Sequence, residues 1–198
     1  AIKTPKFMSF EKPLVSVSMI TYGHEAFIKQ AVESVLMQQC NFEVELIIAD
    51  DKSPDKTEKV ISDIIKTHPK GYWIKYTKHK ENKGVALNFA WSLEEGKGKY
   101  IAICEGDDYW TDPNKLQKQV DFLEMNEAYA MCCHASEEVD EKGSVYKIAS
   151  RAEDTIELST VLKEGWFIRT AAMVFRKDAI SDGFPEFFKT AYSTDYIL

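Results

Sequence analysis

Glu105, Asp107 and Asp108 place three carboxylates within four residues, in the stretch AICEGDDYWTDP. The apolar run Tyr100-Ile101-Ala102-Ile103-Cys104 leads into them without a spacer, and Thr111-Asp112-Pro113 follows with the form of a helix start. Acids this close at the end of a buried strand repel one another. A divalent cation that prefers oxygen ligands relieves the repulsion, so the motif reads as a site for Mg²⁺, Mn²⁺ or Ca²⁺. An acidic, solvated loop is the plainer alternative. Position favours the metal reading, because ligands of open α/β sheets collect at the carboxyl ends of strands. A second acidic pair, Asp50-Asp51, ends another apolar run, Phe42 to Ala49. Alone, such a pair more often caps a turn.

The elements that must position these acids alternate in type. Leu14 to Ile20 is a β-branched strand closing in the turn Thr21-Tyr22-Gly23-His24, and a helix follows with Phe27, Ala31, Val32, Val35 and Leu36 on one stripe. After the strand of Phe42 to Ala49, a second helix from about Lys56 to Thr67 turns Val60, Ile61, Ile64 and Ile65 inward. Tyr72 to Tyr76 is a short strand. Asn82-Lys83-Gly84 opens a third helix bearing Val85, Leu87, Phe89, Ala90 and Leu93, closed by Gly96 and Gly98. The strand entering the acidic cluster is next. This alternation predicts an α/β fold with a mostly parallel, Rossmann-like sheet, right-handed crossovers and flanking helices. If the strands are parallel, TYGH, DDKSPD and EGDD share one rim.

Beyond Pro113 the pattern changes. Leu116, Val120 and Leu123 line a helix, with Asp112 as its N-cap and Pro113 at its first position. Tyr129 to Ala135 reads as a strand, Glu138 to Ile148 as a hairpin centred on Glu141-Lys142-Gly143-Ser144, Leu158 to Lys163 as a helix and Ala171 to Phe175 as a strand. This is a smaller β and loop region. The whole, 1–198, is expected to be one domain, with a ligand-binding part at about 14–110 and a second part at about 111–198. The chain stops at Asp195-Tyr196-Ile197-Leu198, a helical start with no finish, so a continuation is expected.

A net charge of −7 with no basic block argues against nucleic acid or an anionic membrane as an electrostatic partner. No apolar run reaches the ~18 residues that would span a bilayer. The N-terminal stretch lacks a signal-peptide core. Cys40, Cys104, Cys132 and Cys133 have no metal-ligand spacing and read as reduced, mostly buried thiols of a cytoplasmic protein.

LVSVSMITYGHEAFIKQAVESVLMQ, then ELIIADDKSPDKT, then NKGVALNFAWSLEEGKGKYIAICEGDD resembles a family 2 glycosyltransferase of the GT-A fold, over roughly Leu14 to Leu198. The variant CEGDDYWTDPNKLQKQVDFL is similar to bacterial enzymes that build cell-surface polysaccharide or lipopolysaccharide. The resemblance implies inverting transfer of a sugar from a nucleoside diphosphate to a hydroxyl of a glycan or lipid-linked acceptor. Thr21 and Tyr22 match the position bordering base and ribose. Asp50 and Asp51 match the pair of which one carboxylate accepts from the base, uracil as a rule, with Asp51 the preferred reader. Asn82, Lys83 and Gly84 match a loop beside the nucleotide. An arginine common in relatives is replaced by Phe89, which throws pyrophosphate compensation onto metal and Lys83. Glu105, Asp107 and Asp108 match the DxD-type motif for Mn²⁺ or Mg²⁺. There Asp108 is the strongest ligand, Asp107 serves metal or ribose, and Glu105 is a longer substitute. Asp195 matches the general base, with Thr194 where an acid usually precedes it. Trp166 and Thr170 fall on the acceptor side by family position.

A free Asp titrates near ~3.9, so the basicity of Asp195 must come from burial or acidic neighbours. Tyr109 and Trp110 form either a wall toward the sugar or packing beneath the loop, and His134 is the more natural as a structural histidine. A nucleotidyltransferase would need a glycine-rich basic loop where TYGHEAF stands, and a receiver-type phosphoacceptor would be shorter. A non-catalytic sugar-nucleotide binder is the remaining alternative. The cytoplasmic location could extend to the inner face of a membrane, with peripheral association supplied by the continuing chain.

Overall fold

The computed structural model describes residues 12–140, 142–150, 155–164, 168–181 and 183. Strand β1 (Val15–Thr21) is buried at every position and lies at the centre of the main sheet. It is followed by α1 (Ile28–Leu36), β2 (Val44–Asp50), α2 (Thr57–Thr67), β3 (Ile74–Lys78), α3 (Val85–Glu95) and β4 (Tyr100–Ile103). Then come α4 (Lys115–Met125), β5 (Met131–Cys132), β6 (Ser136–Val139), β7 (Val145–Ala149), α5 (Leu158–Glu164) and β8 (Val174–Arg176). The sheet order is β3-β2-β1-β4-β8-β5, and β6-β7 form a separate hairpin. β1 pairs in parallel with β2 and β4, and β2 with β3, while β8 runs antiparallel to β4 and β5. The α/β, mostly parallel sheet read from the sequence is the sheet observed.

Alternation along β1 divides the core in two. Val15, Val17 and Met19 face α1, α2 and α4, joining Ile28, Val32, Val35, Ile61, Leu116, Val120 and Leu123. The other face packs Ile20, Ile101 and Ile103 against Phe89 and Leu93 of α3 and against Ile168, Met173 and Phe175. On that second face β1 also carries serines, each with a partner. Ser18 Oγ lies 2.6 Å from Ser92 Oγ, and Ser16 donates to Glu45 Oε1 at 2.6 Å while accepting the Gly98 N–H at 2.8 Å. A Cβ on Gly98 would stand 2.6 Å from Ser16 N and 2.8 Å from Val15 C, so only glycine lets the chain cross β1 this closely.

Several sequence expectations shift by a residue or a turn. α1 begins at Ile28, which is buried, leaving Phe27 47 % exposed. α2 buries Ile61 and Ile64, while Val60 is half-buried and Ile65 lies at the solvent edge. α3 buries the stripe Ala86, Phe89, Ala90 and Leu93, so Val85 and Leu87 face solvent. The expected strand Tyr72 to Tyr76 is a 3-10 turn over Gly71–Trp73 and then β3, because the Gly71 and Trp73 N–H groups are taken by His68 and Lys70 carbonyls. Tyr129 to Ala135 shrinks to the two residues that the short β8 can pair. Of the thiols, Cys104 alone is fully buried, and Cys133 is exposed.

Candidate functional site

Backbone hydrogen bonds join the ends of β1, β2 and β4 into one rim. The Asp51 N–H donates to Thr21 O at 2.9 Å, Gly106 N–H to Ile20 O at 2.9 Å, and Cys104 N–H to Ser18 O at 3.0 Å. The parallel pairing thus brings Thr21-Tyr22, Asp50-Asp51 and Glu105 to Asp108 to the same edge. Thr21 is buried beneath that edge, and Tyr22 presents an exposed ring.

The two aspartates of the first pair have different partners. Asp50 is fully buried, its Oδ1 accepting the Ser53 N–H at 2.7 Å and its Oδ2 the Tyr76 hydroxyl at 2.7 Å. Burial and the Asp50 carboxylate push the Tyr76 phenol far upward, so it stays a donor. Lys52, between Asp51 and Ser53, adopts φ 67°, a left-handed conformation that costs a non-glycine residue energy and is concentrated at functional turns. Asp51, also buried, reaches the opposite way. Its Oδ1 accepts the Lys83 N–H at 2.6 Å, its Oδ2 the Gly84 N–H at 2.9 Å, and its carbonyl the Asn82 side-chain amide at 3.0 Å. Asp51 therefore anchors the whole Asn82-Lys83-Gly84 loop at the start of α3. Gly84, at φ 81°, supplies the turn, and the Lys83 side chain is exposed. Phe89 belongs to the core, with 1 % exposure, and brings no polarity to the rim.

The acidic loop is a tight turn, with Asp108 N–H donating to Glu105 O at 3.0 Å. Asp107 is half-exposed, and its Oδ2 lies 3.9 Å from His24 Nε2. Glu105 and Asp108 are half-buried and each has a partner. Gly106 is buried against Thr21 and His24. The sequence reads His24 only as the end of a turn. Its contact across the rim to Asp107 depends on the parallel pairing of β1 and β4, which spacing along the chain does not show.

Trp110 is packing, not wall: it is 4 % exposed and its indole N–H donates to Ala171 O at 2.9 Å. Tyr109 beside it stays at the surface. Over the Trp110 ring, at 4.2 Å, lies the Lys115 ammonium, which donates to Gln119 Oε1 at 2.7 Å. Burial pushes Lys115 down to about 7, against the attraction of the ring face for a cation. Asp112 does not cap α4 directly. Its Oδ1 closes a turn on the Asn114 N–H at 2.8 Å and its Oδ2 pairs with Lys118, so the helix starts at Lys115. His134 is exposed, with Nδ1 2.7 Å from the Ala135 carbonyl oxygen. Thr170 is buried in the 3-10 turn Thr170–Ala172. Asp195 and Trp166 lie outside the described residues.

Among the described residues no three His, Cys, Asp or Glu side chains converge as a metal cage. The donors on the acidic loop are hard carboxylate oxygens on a turn that is open to solvent at Asp107. Such a set fits a Mg²⁺-like cation, which takes one or two carboxylates and completes its shell with substrate phosphates and water.

Comparison with known proteins agrees with this architecture. The family model described as glycosyl transferase family 2 matches residues 16–184. An uncharacterized protein of Mycobacterium tuberculosis is 34% identical over 174 residues, 86% of this chain and 49% of that one. The chain thus spans about half the length of the curated relatives it matches first. Among solved structures, S. aureus TarS 1-349 in complex with UDP superposes with TM-score 0.65 at 19% identity, over 89% of this chain and 52% of that one. The mannosyltransferase PcManGT from Pyrobaculum calidifontis, in complex with GDP-Man and Mn²⁺, gives 0.67 at 17% identity, over 94% and 51%. Those likenesses concern the fold, whereas the family model covers most of the sequence, and on that ground the chain belongs to glycosyl transferase family 2.

Proposed function

We propose that the rim formed by β1, β2 and β4 is the donor site of an inverting glycosyltransferase, which moves a sugar from a nucleoside diphosphate to an acceptor hydroxyl. One observation carries the reading: three sequence-distant segments, Thr21-Tyr22, Asp50-Asp51 and Glu105 to Asp108, are fastened to one another at the carboxyl edge of parallel strands. That edge is where α/β sheets receive nucleotides. UDP is the proposed carrier. A carboxylate has room for about four hydrogen bonds, so Asp51 can hold the 82–84 loop and still accept the N–H of a uracil ring. Cytosine offers an acceptor at that position and would be refused. Tyr22 lies against base and ribose. Since Phe89 is in the core, the Lys83 ammonium is the proposed protein cation for the diphosphate.

Asp108, with Asp107, is the proposed holder of Mn²⁺ or Mg²⁺, and Glu105 is a further carboxylate of the same loop. The bound cation would neutralise charge on the departing diphosphate as a Lewis acid. Asp195 is the proposed base that takes the acceptor proton on the opposite face of the sugar, an assignment that rests on its place in the family pattern. The acceptor is a glycan or a lipid-linked precursor of cell-surface polysaccharide, which the CEGDDYWTDP variant supports. Among the described residues no helix is long and apolar enough to cross a membrane. Work at the cytoplasmic face is part of the proposal.

Turnover of UDP-sugars, followed as UDP release with Mn²⁺ and with EDTA, tests the reading, because transferases also pass the sugar slowly to water. Metal-dependent UDP release that is lost in Asp108→Ala is expected. Tight binding with no release under any acceptor would instead indicate a sugar-nucleotide-binding domain.

A further inference from the structure

The turn after β1 contains a histidine that the donor-site reading leaves without a task. The His24 carbonyl oxygen accepts from the Phe27 and Ile28 N–H groups, both at 2.9 Å, so its backbone begins α1 and the ring has a fixed origin. Gly23, at φ 71° and with its N–H on Ser53 Oγ at 3.0 Å, secures the preceding step. The ring lies against Gly106, where an added Cβ would stand 2.8 Å from His24 Nδ1 and 2.8 Å from Thr21 Oγ1. Those two atoms are buried and, among the described residues, have no hydrogen-bond partner. The other ring nitrogen faces outward, 3.9 Å from Asp107 Oδ2. One imidazole thus runs from the buried cleft at Gly106 to a half-exposed carboxylate of the acidic motif.

We infer that His24 is a positioning residue for Asp107, its wedged ring presenting Nε2–H to the carboxylate and aiming it at the diphosphate end of the donor. The inference rests on the donor-site reading above. The tautomer follows from the surroundings. Nε2 faces a group that only accepts, while Nδ1 is buried with no partner among the described residues, so the ring proton is better placed on Nε2 than stranded on Nδ1. At 3.9 Å the contact is longer than a hydrogen bond. Closing it takes a turn of the exposed Asp107 side chain, not of the ring that Gly106 admits. Any side chain at position 106 would displace the ring, which gives this glycine of the motif a reason beyond its backbone.

Two measurements test the inference. The first is titration of UDP into the protein with and without Mn²⁺. A hydrogen bond to a charged group corresponds to about tenfold or more in affinity. His24→Asn is therefore expected to weaken binding by that factor with Mn²⁺ present and to leave metal-free binding unchanged. His24→Gln, which restores a donor at the Nε2 position, recovers most of the loss. In the background of Asp107→Asn, the change at His24 has no further effect. Equal weakening with and without metal, or additive effects of the two substitutions, overturns the inference. The second measurement needs no ligand: the long-range ¹H–¹⁵N spectrum of His24 at mildly alkaline pH. It is expected to show the Nε2–H tautomer, with the Nε2 resonance moving in Asp107→Asn. An Nδ1–H tautomer, or a signal indifferent to Asp107, refutes the inference even if UDP is not the carrier. Absence of nucleotide binding by the unaltered protein would count against the donor-site reading alone.

Discussion

Asp50 and Asp51 are adjacent, buried and identical in type, yet replacing each by asparagine is expected to have different consequences. Asp51 holds two backbone N–H groups, of Lys83 and Gly84, one on each carboxylate oxygen. Asparagine keeps one acceptor and turns an NH₂ toward the other backbone donor, which cannot rotate away. The loss is one charge-assisted bond together with a stranded donor. A cost of about 2–3 kcal/mol follows, taken at the low end because the bonds are only part-buried. For a chain of this size that lowers Tm by roughly 5–10 °C. Asp50 instead holds one backbone N–H, of Ser53, and the hydroxyl of Tyr76. Here asparagine oxygen can keep Ser53 while its NH₂ donates to a phenol that swivels to accept, so the cost is about 1 kcal/mol. Thermal denaturation of both variants, with amide exchange of Lys83 and Gly84, is the assay. Asp51→Asn should lose protection at those two amides and Asp50→Asn should not. A larger loss of stability in Asp50→Asn, or unchanged protection at the loop in Asp51→Asn, would refute the assignment of Asp51 as the anchor of the loop.

Three further outcomes are expected. With Lys115 pushed by burial from 10.5 to about 7, the folded protein bears the cost of a buried charge in full below about pH 7. Between there and pH 10.5 the folded state gives up a proton that the unfolded chain keeps, so stability rises with pH by up to about 1.4 kcal/mol per unit. Urea midpoints at neutral and mildly alkaline pH should show this rise in the native protein and its loss in Lys115→Met. Gly98→Ala, whose Cβ meets backbone at 2.6 Å, should cost about 3 kcal/mol or more, whereas Gly143→Ala, at φ 79° in open space, should cost about 1–2 kcal/mol. Denaturant titration of the two separates steric from conformational cost. Asp195→Asn should abolish sugar transfer while nucleotide affinity by calorimetry stays within about twofold, as expected of a base that acts only in the chemical step; joint loss of both would make the residue structural.

The fold was legible because its signals are long and redundant. β-branched runs alternate with amphipathic segments, and each run ends in polar turn residues, which is enough to place β1, β2, β4 and the rim. Side-chain direction within helices was less legible: α3 was expected to turn Val85 and Leu87 inward with Phe89, Ala90 and Leu93, and contact with Ile20 and Ile101 brings in Ala86 in their place. Strand lengths after Pro113 depend on what the partner strand can pair, and β8 is three residues long. At the site, the acids were visible as residue types but not their partners. That Asp51 fastens Gly84 across 33 positions, or that His24 meets Asp107, is a product of strand order. Lys115 drew no reading from the sequence, since nothing local announces the tryptophan ring beneath it.

On the proposed function, the acidic rim receives a nucleoside diphosphate together with a divalent cation. Isothermal titration of UDP into the native protein, with Mn²⁺ and then with EDTA, beside the same titrations of Asp108→Ala, addresses it directly. UDP binding that Mn²⁺ strengthens in the native protein and leaves unchanged in Asp108→Ala is expected. Identical titration curves for the two proteins in Mn²⁺, or no UDP binding by the native protein in any condition, would contradict it.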